Sequence, residues 1–270
     1  MRKRLLSLAL ALALCLGLTV PAAAATITEL DPNDKYATMR EFSDGLAAVL
    51  YRGEGWGYID ISGKFVIPCQ YDDTIEEPLM DFSDGAAWVQ NKSGETLCLD
   101  KTGNVLFTLP EEYSTYWYIQ PLGSFSDGLA QVTREGKRGF IDKTGKEVIP
   151  CQYSSVKPFS EGLAAVYNSA DGVWTYIDKT GNTAIPFQYQ KAESFGERYT
   201  GYTVVTPMDS ERETLIDKTG RDVIPSGYSY YIDKDSAWES GDRYVPLRSS
   251  DGKRDSVYDL TTGQIVKFPF

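Results

Sequence analysis

The stretch Phe125-Ser126-Asp127-Gly128-Leu129-Ala130-Gln131-Val132 is followed by Gly139-Phe140-Ile141-Asp142-Lys143-Thr144-Gly145 and then by Val148-Ile149-Pro150-Cys151-Gln152-Tyr153. Together they are one unit of a pattern that fills most of the chain. Its first half returns as Phe42–Val49, Phe82–Val89 and Phe159–Val166. A worn copy begins at Phe195, and a last one survives as Tyr244-Val245-Pro246-Leu247. The second half returns at Gly57–Gly63 with Val66–Tyr71, at Cys98–Gly103 with Val105–Phe107, and at Tyr176–Gly181 with Ala184–Tyr189. Two further copies are Leu215–Gly220 with Val223–Pro225, and Tyr258–Gly263 with Ile265-Val266. The period runs from 34 to 43 residues, the range of small repeat modules.

Each unit can be read physically. Gly-Leu-Ala-Ala-Val is short, apolar and bounded by polar residues, which makes it a strand. Gly-Tyr-Ile-Asp is a second, rich in β-forming side chains. Asp-Lys-Thr-Gly suits a type I turn followed by a left-handed glycine, a common hairpin link. Val-Ile is a third strand, and the following proline is expected to end it because it donates no ladder hydrogen bond. The segment around the trailing Tyr adds a fourth strand if it also pairs. No 3.6-residue period is present after the first 25 residues. A meander this small cannot bury its own apolar face, so it must stack on its neighbours. The recurring Ala47, Ala87, Ala130 and Ala164 suit places where sheets approach closely. The class expected is all-β: a tandem array of about six small antiparallel β-meander repeats, in a propeller-like ring or an open superhelix.

These motifs carry a resemblance. The segments Phe42–Val49, Gly55–Pro68 and Gly139–Pro150 are similar to the WG-repeat (KWG-type) family of bacterial exported proteins, over residues 42 to 266. The Trp-Gly pair itself is intact as Trp56-Gly57; elsewhere it becomes Arg138-Gly139 or Trp174-Thr175, or is lost. The resemblance implies a β-rich repeat scaffold with no established catalytic residues and no particular ligand.

Residues 1–25 read as a signal peptide. Arg2, Lys3 and Arg4 precede the apolar run Leu5–Val20, Pro21 breaks it, and Ala22–Ala25 supply small residues for cleavage. Residues 26–41 read as an N-terminal linker and 42–270 as the repeat domain, secreted or at the cell surface. The formal charge is −11, and removing the three cations Arg2, Lys3 and Arg4 takes it to −14. Such a surface repels phosphate backbones and anionic headgroups, so neither nucleic acid nor membrane insertion after signal cleavage is expected. The chain has no histidine, which excludes Ser-His-Asp triads, Cys-His pairs and histidine metal sites. No cofactor or metal is expected. Cys69, Cys98 and Cys151 match no zinc spacing and read as packed, inert thiols.

The recurring Asp60, Asp100, Asp142, Asp178, Asp217 and Asp259 hold one turn position and read as turn formers that bond local backbone, with no catalytic residue assigned. The aromatics in register with the repeat, Phe42 and Phe82 among them, read as core anchors. Others fall outside the register. Tyr116, Trp117 and Tyr118, beside Tyr113, sit in one insertion, and Tyr230, Tyr231 and Trp238, beside Tyr228, in another. These six are the ligand-binding candidates, set against the simpler reading that such rings plug gaps between imperfect units. Polar, variable tips between the first and second strands, at 52–55, 168–172, 207–212 and 249–255, share one side if the units stack regularly. The function expected is a non-catalytic scaffold binding a protein or a cell-wall or extracellular glycan. The alternatives are a carbohydrate hydrolase using paired carboxylates and a passive structural spacer.

Overall fold

The computed structural model describes residues 36–51, 53–72, 81–113, 123–230 and 243–268. Among them there are strands and turns and no helix. The strands are β1 (Tyr36–Met39), β2 (Leu46–Tyr51), β3 (Gly55–Asp60), β4 (Phe65–Tyr71), β5 (Ala86–Gln90), β6 (Thr96–Asp100), β7 (Val105–Thr108), β8 (Leu129–Arg134), β9 (Lys137–Asp142) and β10 (Glu147–Tyr153). They continue as β11 (Ser155–Val156), β12 (Leu163–Asn168), β13 (Val173–Asp178), β14 (Thr183–Ala192), β15 (Tyr202–Pro207), β16 (Thr214–Asp217), β17 (Tyr228–Tyr230), β18 (Tyr244–Ser249), β19 (Ser256–Asp259) and β20 (Gln264–Lys267). The protein is an all-β array of small antiparallel sheets. Its chain falls into two compact units, one running to Glu111 and taking in Lys143–Gly145, the other holding most of the remainder.

The first unit contains the sheets β1-β2-β3-β4 and β5-β6-β7. Their facing sides share one core: Leu46, Tyr58, Ile67 and Tyr71 from the first, and Phe82, Ala87, Val89 and Leu99 from the second. The second unit contains β8 to β10, the six-stranded β11 to β16, and β17 to β20, each with neighbours in chain order. Core clusters join Phe140 and Ile149 to Phe159 and Val166, Tyr176 and Ile185 to Phe195 and Val205, and Leu215 to Tyr230 and Val245. Stacking therefore buries the face that a lone meander would expose.

The fourth strand exists, and it belongs to the following sheet. After Tyr153 the chain continues as β11, which pairs with β12 of the next repeat. After Tyr189 one strand, β14, pairs with β13 at one end and with β15 at the other, fusing two repeats into a six-stranded sheet. The region expected as a linker over 26–41 ends in a strand of the same kind: β1 supplies the first repeat with the strand that β11, β14 and β17 give the fourth, fifth and sixth.

Proline does not end the third strand. Pro68, Pro150 and Pro186 lie inside β4, β10 and β14. Each sits in a bulge: Trp56 and Tyr58 oppose Tyr71 and Ile67, so a step of two residues on one strand faces a step of four on the other. A bulge on the outer strand tolerates a residue that lacks an N–H. It also pushes backbone toward the residue opposite. A Cβ added to Gly57 would lie 2.7 Å from the Ile67 carbonyl oxygen, and one on Gly139 2.4 Å from that of Ile149. At Gly57 and Gly139 a hydrogen fits where a methyl group would force the facing backbone to shift. Where Thr175 replaces this glycine, the side chain is wholly buried and its hydroxyl donates to the Ile185 carbonyl.

The turn aspartates behave as expected. Asp60, Asp100 and Asp178 each accept hydrogen bonds from the backbone N–H two and four residues on and from the hydroxyl two residues on. Those hydroxyl bonds first, and the N–H groups after them, hold the three carboxyls below their ordinary value, Asp100 at about 2. A carboxyl whose folded value is depressed adds stability above its unfolded value, about 3.9, and loses it as pH falls through the folded one. Thermal midpoints followed by circular dichroism should therefore drop between about pH 4 and 2. Asp100→Ala should flatten that drop; a variant as steep as the parent would exclude this origin.

Candidate functional site

The Phe-Ser-Asp-Gly motif builds the joints between repeats. Asp44, Asp84, Asp127 and Glu161 have φ of 52 to 54°, and the glycines after them are also positive. Ser43 N–H donates to the Leu46 carbonyl and Leu46 N–H to that of Ser43, and the bond pair recurs at Ser83, Ser126 and Ser160. This is a two-residue hairpin of type I′. The acid at its tip reaches the next repeat. Gly85 N–H donates to Asp44 at 2.6 Å, Gly162 N–H to Asp127 at 2.6 Å, and Gly201 N–H to both oxygens of Glu161. Ser43 and Ser126 hydroxyls donate to the carbonyls of Phe82 and Phe159, both at 2.6 Å. Lys218 closes on Glu161 at 3.0 Å, and Lys143 on Asp84 at 3.2 Å. Asp-Gly between a polar and an apolar residue is a strong hairpin signal; read only as the start of the repeat, it hid this joint.

The aromatics in register also serve the joints. Tyr58 meets Phe82 edge-on at 4.8 Å, Phe140 meets Phe159 at 4.8 Å, and Tyr176 meets Phe195 at 5.1 Å. Phe42 differs from its copies: 43% of it is exposed, whereas Phe82, Phe125 and Phe159 are buried. Among the described residues no earlier sheet supplies it with a partner ring, so its reading as a core anchor is corrected. Cys98 is buried, and burial pushes its thiol up to about 12 and that of Cys151 up to about 11. Both thiols are free, as is Cys69, and neutral thiols of this kind are poor nucleophiles.

Of the six aromatics expected to bind, Tyr116, Trp117, Tyr118, Tyr231 and Trp238 lie outside the described residues. Tyr230 is placed on β17 and buried with Val204, Leu215 and Val245, so its ring fills the joint between the fifth and sixth repeats. Tyr113 is buried too. Its hydroxyl donates to Glu147 at 2.9 Å, and its ring lies under Arg134, which bridges Glu147 and Glu112. For these two rings the gap-plugging reading applies.

Between the same two repeats the tips enclose a cavity of about 440 Å³, within the range of small-ligand sites. Lys191 and Thr206 come from paired positions on β14 and β15, Arg212 with Glu211 and Glu213 from the β15–β16 tip, and Arg248 with Ser249 and Ser250 from β18 and the tip after it. Among the described residues, Lys191, Arg212, Glu211 and Glu213 take part in no ion pair. The tip after β18 is ordered by Asp251, which accepts from the Ser249 hydroxyl and pairs with Lys253 at 3.2 Å. The first of these contacts does most to hold the Asp251 carboxyl at about 2. Sequence reasoning found both tips and did not join them, because the step that brings 207–212 against 249–252 is the stacking of one sheet on another.

Strands that meander, share edges and bury one another's faces define an all-β tandem-repeat protein. The model of the WG-containing repeat matches residues 56–94, 139–168 and 174–201, so over these segments the chain is similar to that repeat. No curated protein matches it. Among solved structures it is similar to the computationally designed Ika8 protein at 15% identity and a TM-score of 0.45, over 86% of this chain and 74% of that one. It is also similar to Hsv2 of Kluyveromyces lactis, at 11% and 0.43 over 87% of each chain. A third is BamB from Moraxella catarrhalis, at 13% and 0.38 over 84% of this chain and 74% of that one. All three scores are below 0.5, so the fold stands on strand order and register, not on these likenesses.

Proposed function

We propose that the protein is an exported, non-catalytic binding scaffold that engages a protein or a cell-wall or extracellular glycan through loops at the tips of its repeats. One observation carries this reading. The recurring acids, serines and aromatics are spent on joints within and between repeats, while the tips are polar, differ from repeat to repeat and enclose the cavity around Arg212 and Arg248. A frame held by fixed residues with variable loops is how repeat scaffolds bind. Export rests on the leader-like residues 1–25, and the absence of nucleic-acid and membrane partners on the charge of −11.

The test is co-sedimentation of the purified chain with isolated bacterial cell walls, and its retention on immobilised secreted proteins. Replacing 208–212 by a Gly-Ser segment is expected to lower retention by more than about tenfold with the β signal unchanged. Equal retention would remove the tip loops from the proposal. Glu211 and Glu213 line one cavity, which favours a second reading as a hydrolase with paired carboxylates. Release of reducing ends from wall polysaccharide, abolished by Glu211→Gln or Glu213→Gln, would establish that reading and end the non-catalytic one.

A further inference from the structure

We infer that the cavity between the fifth and sixth repeats takes a carboxylated sugar residue of an acidic glycan, with the sugar's carboxylate held by Lys191, Arg212 and Arg248. This deepens the binding-scaffold reading and rests on it.

The argument begins with charge. The chain carries −11, yet three cations from three separate elements converge on one cavity: Lys191 on β14, Arg212 on the β15–β16 tip and Arg248 on β18. Elsewhere in this fold cations are commonly paired, as Lys143 is with Asp84, Arg198 with Glu193, Lys218 with Glu161 and Arg243 with Asp259. Lys191 and Arg212 have no such partner among the described residues, although Glu211 and Glu213 line the same wall. Carboxylates this near in sequence that still leave the cations unpaired point to an anion supplied from outside. Guanidinium groups favour a carboxylate because their planar fork donates two parallel hydrogen bonds.

The rest of the lining selects a sugar over a peptide. Beyond the cations it offers the hydroxyls of Ser229, Ser249 and Ser250 and the two carboxylates. A serine hydroxyl both donates and accepts, and a carboxylate accepts. Sugar hydroxyls, which also do both, satisfy that mixture. An acidic peptide side chain brings a carboxylate without a ring of hydroxyls around it, and would leave the serines and the two glutamates of this wall unmatched.

The experiment is calorimetric titration of the full chain with oligogalacturonate, its methyl ester, a neutral cello-oligosaccharide and an acidic peptide. Oligogalacturonate should bind, and esterification should weaken it by more than about tenfold, the loss of charge-assisted hydrogen bonds. The double substitution of Lys191→Met with Arg212→Gln, both at exposed positions, should do the same with circular dichroism unchanged. Equal affinity for the ester, no loss in the double variant, or tighter binding of the acidic peptide would overturn the assignment. Absence of oligogalacturonate binding would also overturn it. If walls or secreted proteins were still retained in that case, the scaffold reading would survive; if nothing were retained, both would fall.

Discussion

Gly139→Ala should cost about 3 kcal/mol of stability, at the large end of what a single substitution does. The residue lies in β9 between Arg138 and Phe140, whose partners on β10 are Tyr153 and Ile149, so bulged backbone faces it directly. A methyl group there would stand 2.4 Å from the Ile149 carbonyl oxygen and 2.7 Å from the Cys151 nitrogen. These are backbone atoms, and no rotamer change relieves them. The bulge must flatten, which shifts the register beyond it and turns Tyr153, buried against Phe140 and Val156, off its site. Gly136 in the preceding hairpin is the control. Its φ is +74° and nothing lies within 4 Å of its added Cβ, so Gly136→Ala pays for the left-handed backbone alone, about 1 kcal/mol. Urea unfolding of the two variants separates the causes. Equal midpoints would mean that conformation, not close approach, fixes the glycine of the Trp-Gly pair.

That glycine shows where sequence reading stops. Its recurrence beside Tyr58 and Phe140 marked a strand, and the strand is present. The reason for glycine was invisible, because it depends on where the bulge at Pro68 or Pro150 falls on the neighbouring strand. The proline was read by the local rule that it cannot donate to a ladder; on an outer strand that rule permits continuation as readily as arrest. The Asp-Lys-Thr-Gly turns were fully legible, since every bond of Asp100 or Asp178 runs within four residues. The joints were half legible. Periodicity named Phe82 and Phe159 as anchors, but the bond from Gly162 to Asp127 spans 35 residues, and no local pattern announces it. The cavity was the least legible, because its walls come from tips about forty residues apart that meet through sheet stacking.

Phe159→Ala should remove about 3–5 kcal/mol, the cost of emptying a large buried aromatic site. The ring has no exposed surface and lies at 68° to Phe140 with centroids 4.8 Å apart. Its neighbours Leu129, Ile149, Val156 and Val166 come from both sheets of the joint. They cannot close over the void without bringing the sheets together, and the hydrogen bond from Ser126 to the Phe159 carbonyl fixes that spacing from the other side. Phe42→Ala tests the same motif at a different place. With 43% of Phe42 exposed, the loss should stay within about 0.5 kcal/mol. In a stacked array each sheet leans on its nearest neighbours, so the damage should also be local. Amide exchange should quicken across β8 to β13 in Phe159→Ala while β18 to β20 keep their protection. A loss under 1 kcal/mol, or exchange that rises equally in every strand, would mean that this ring does not join the third repeat to the fourth. The same outcome would reach further, because the placement of every tip in this unit depends on sheets held at the distance such rings set.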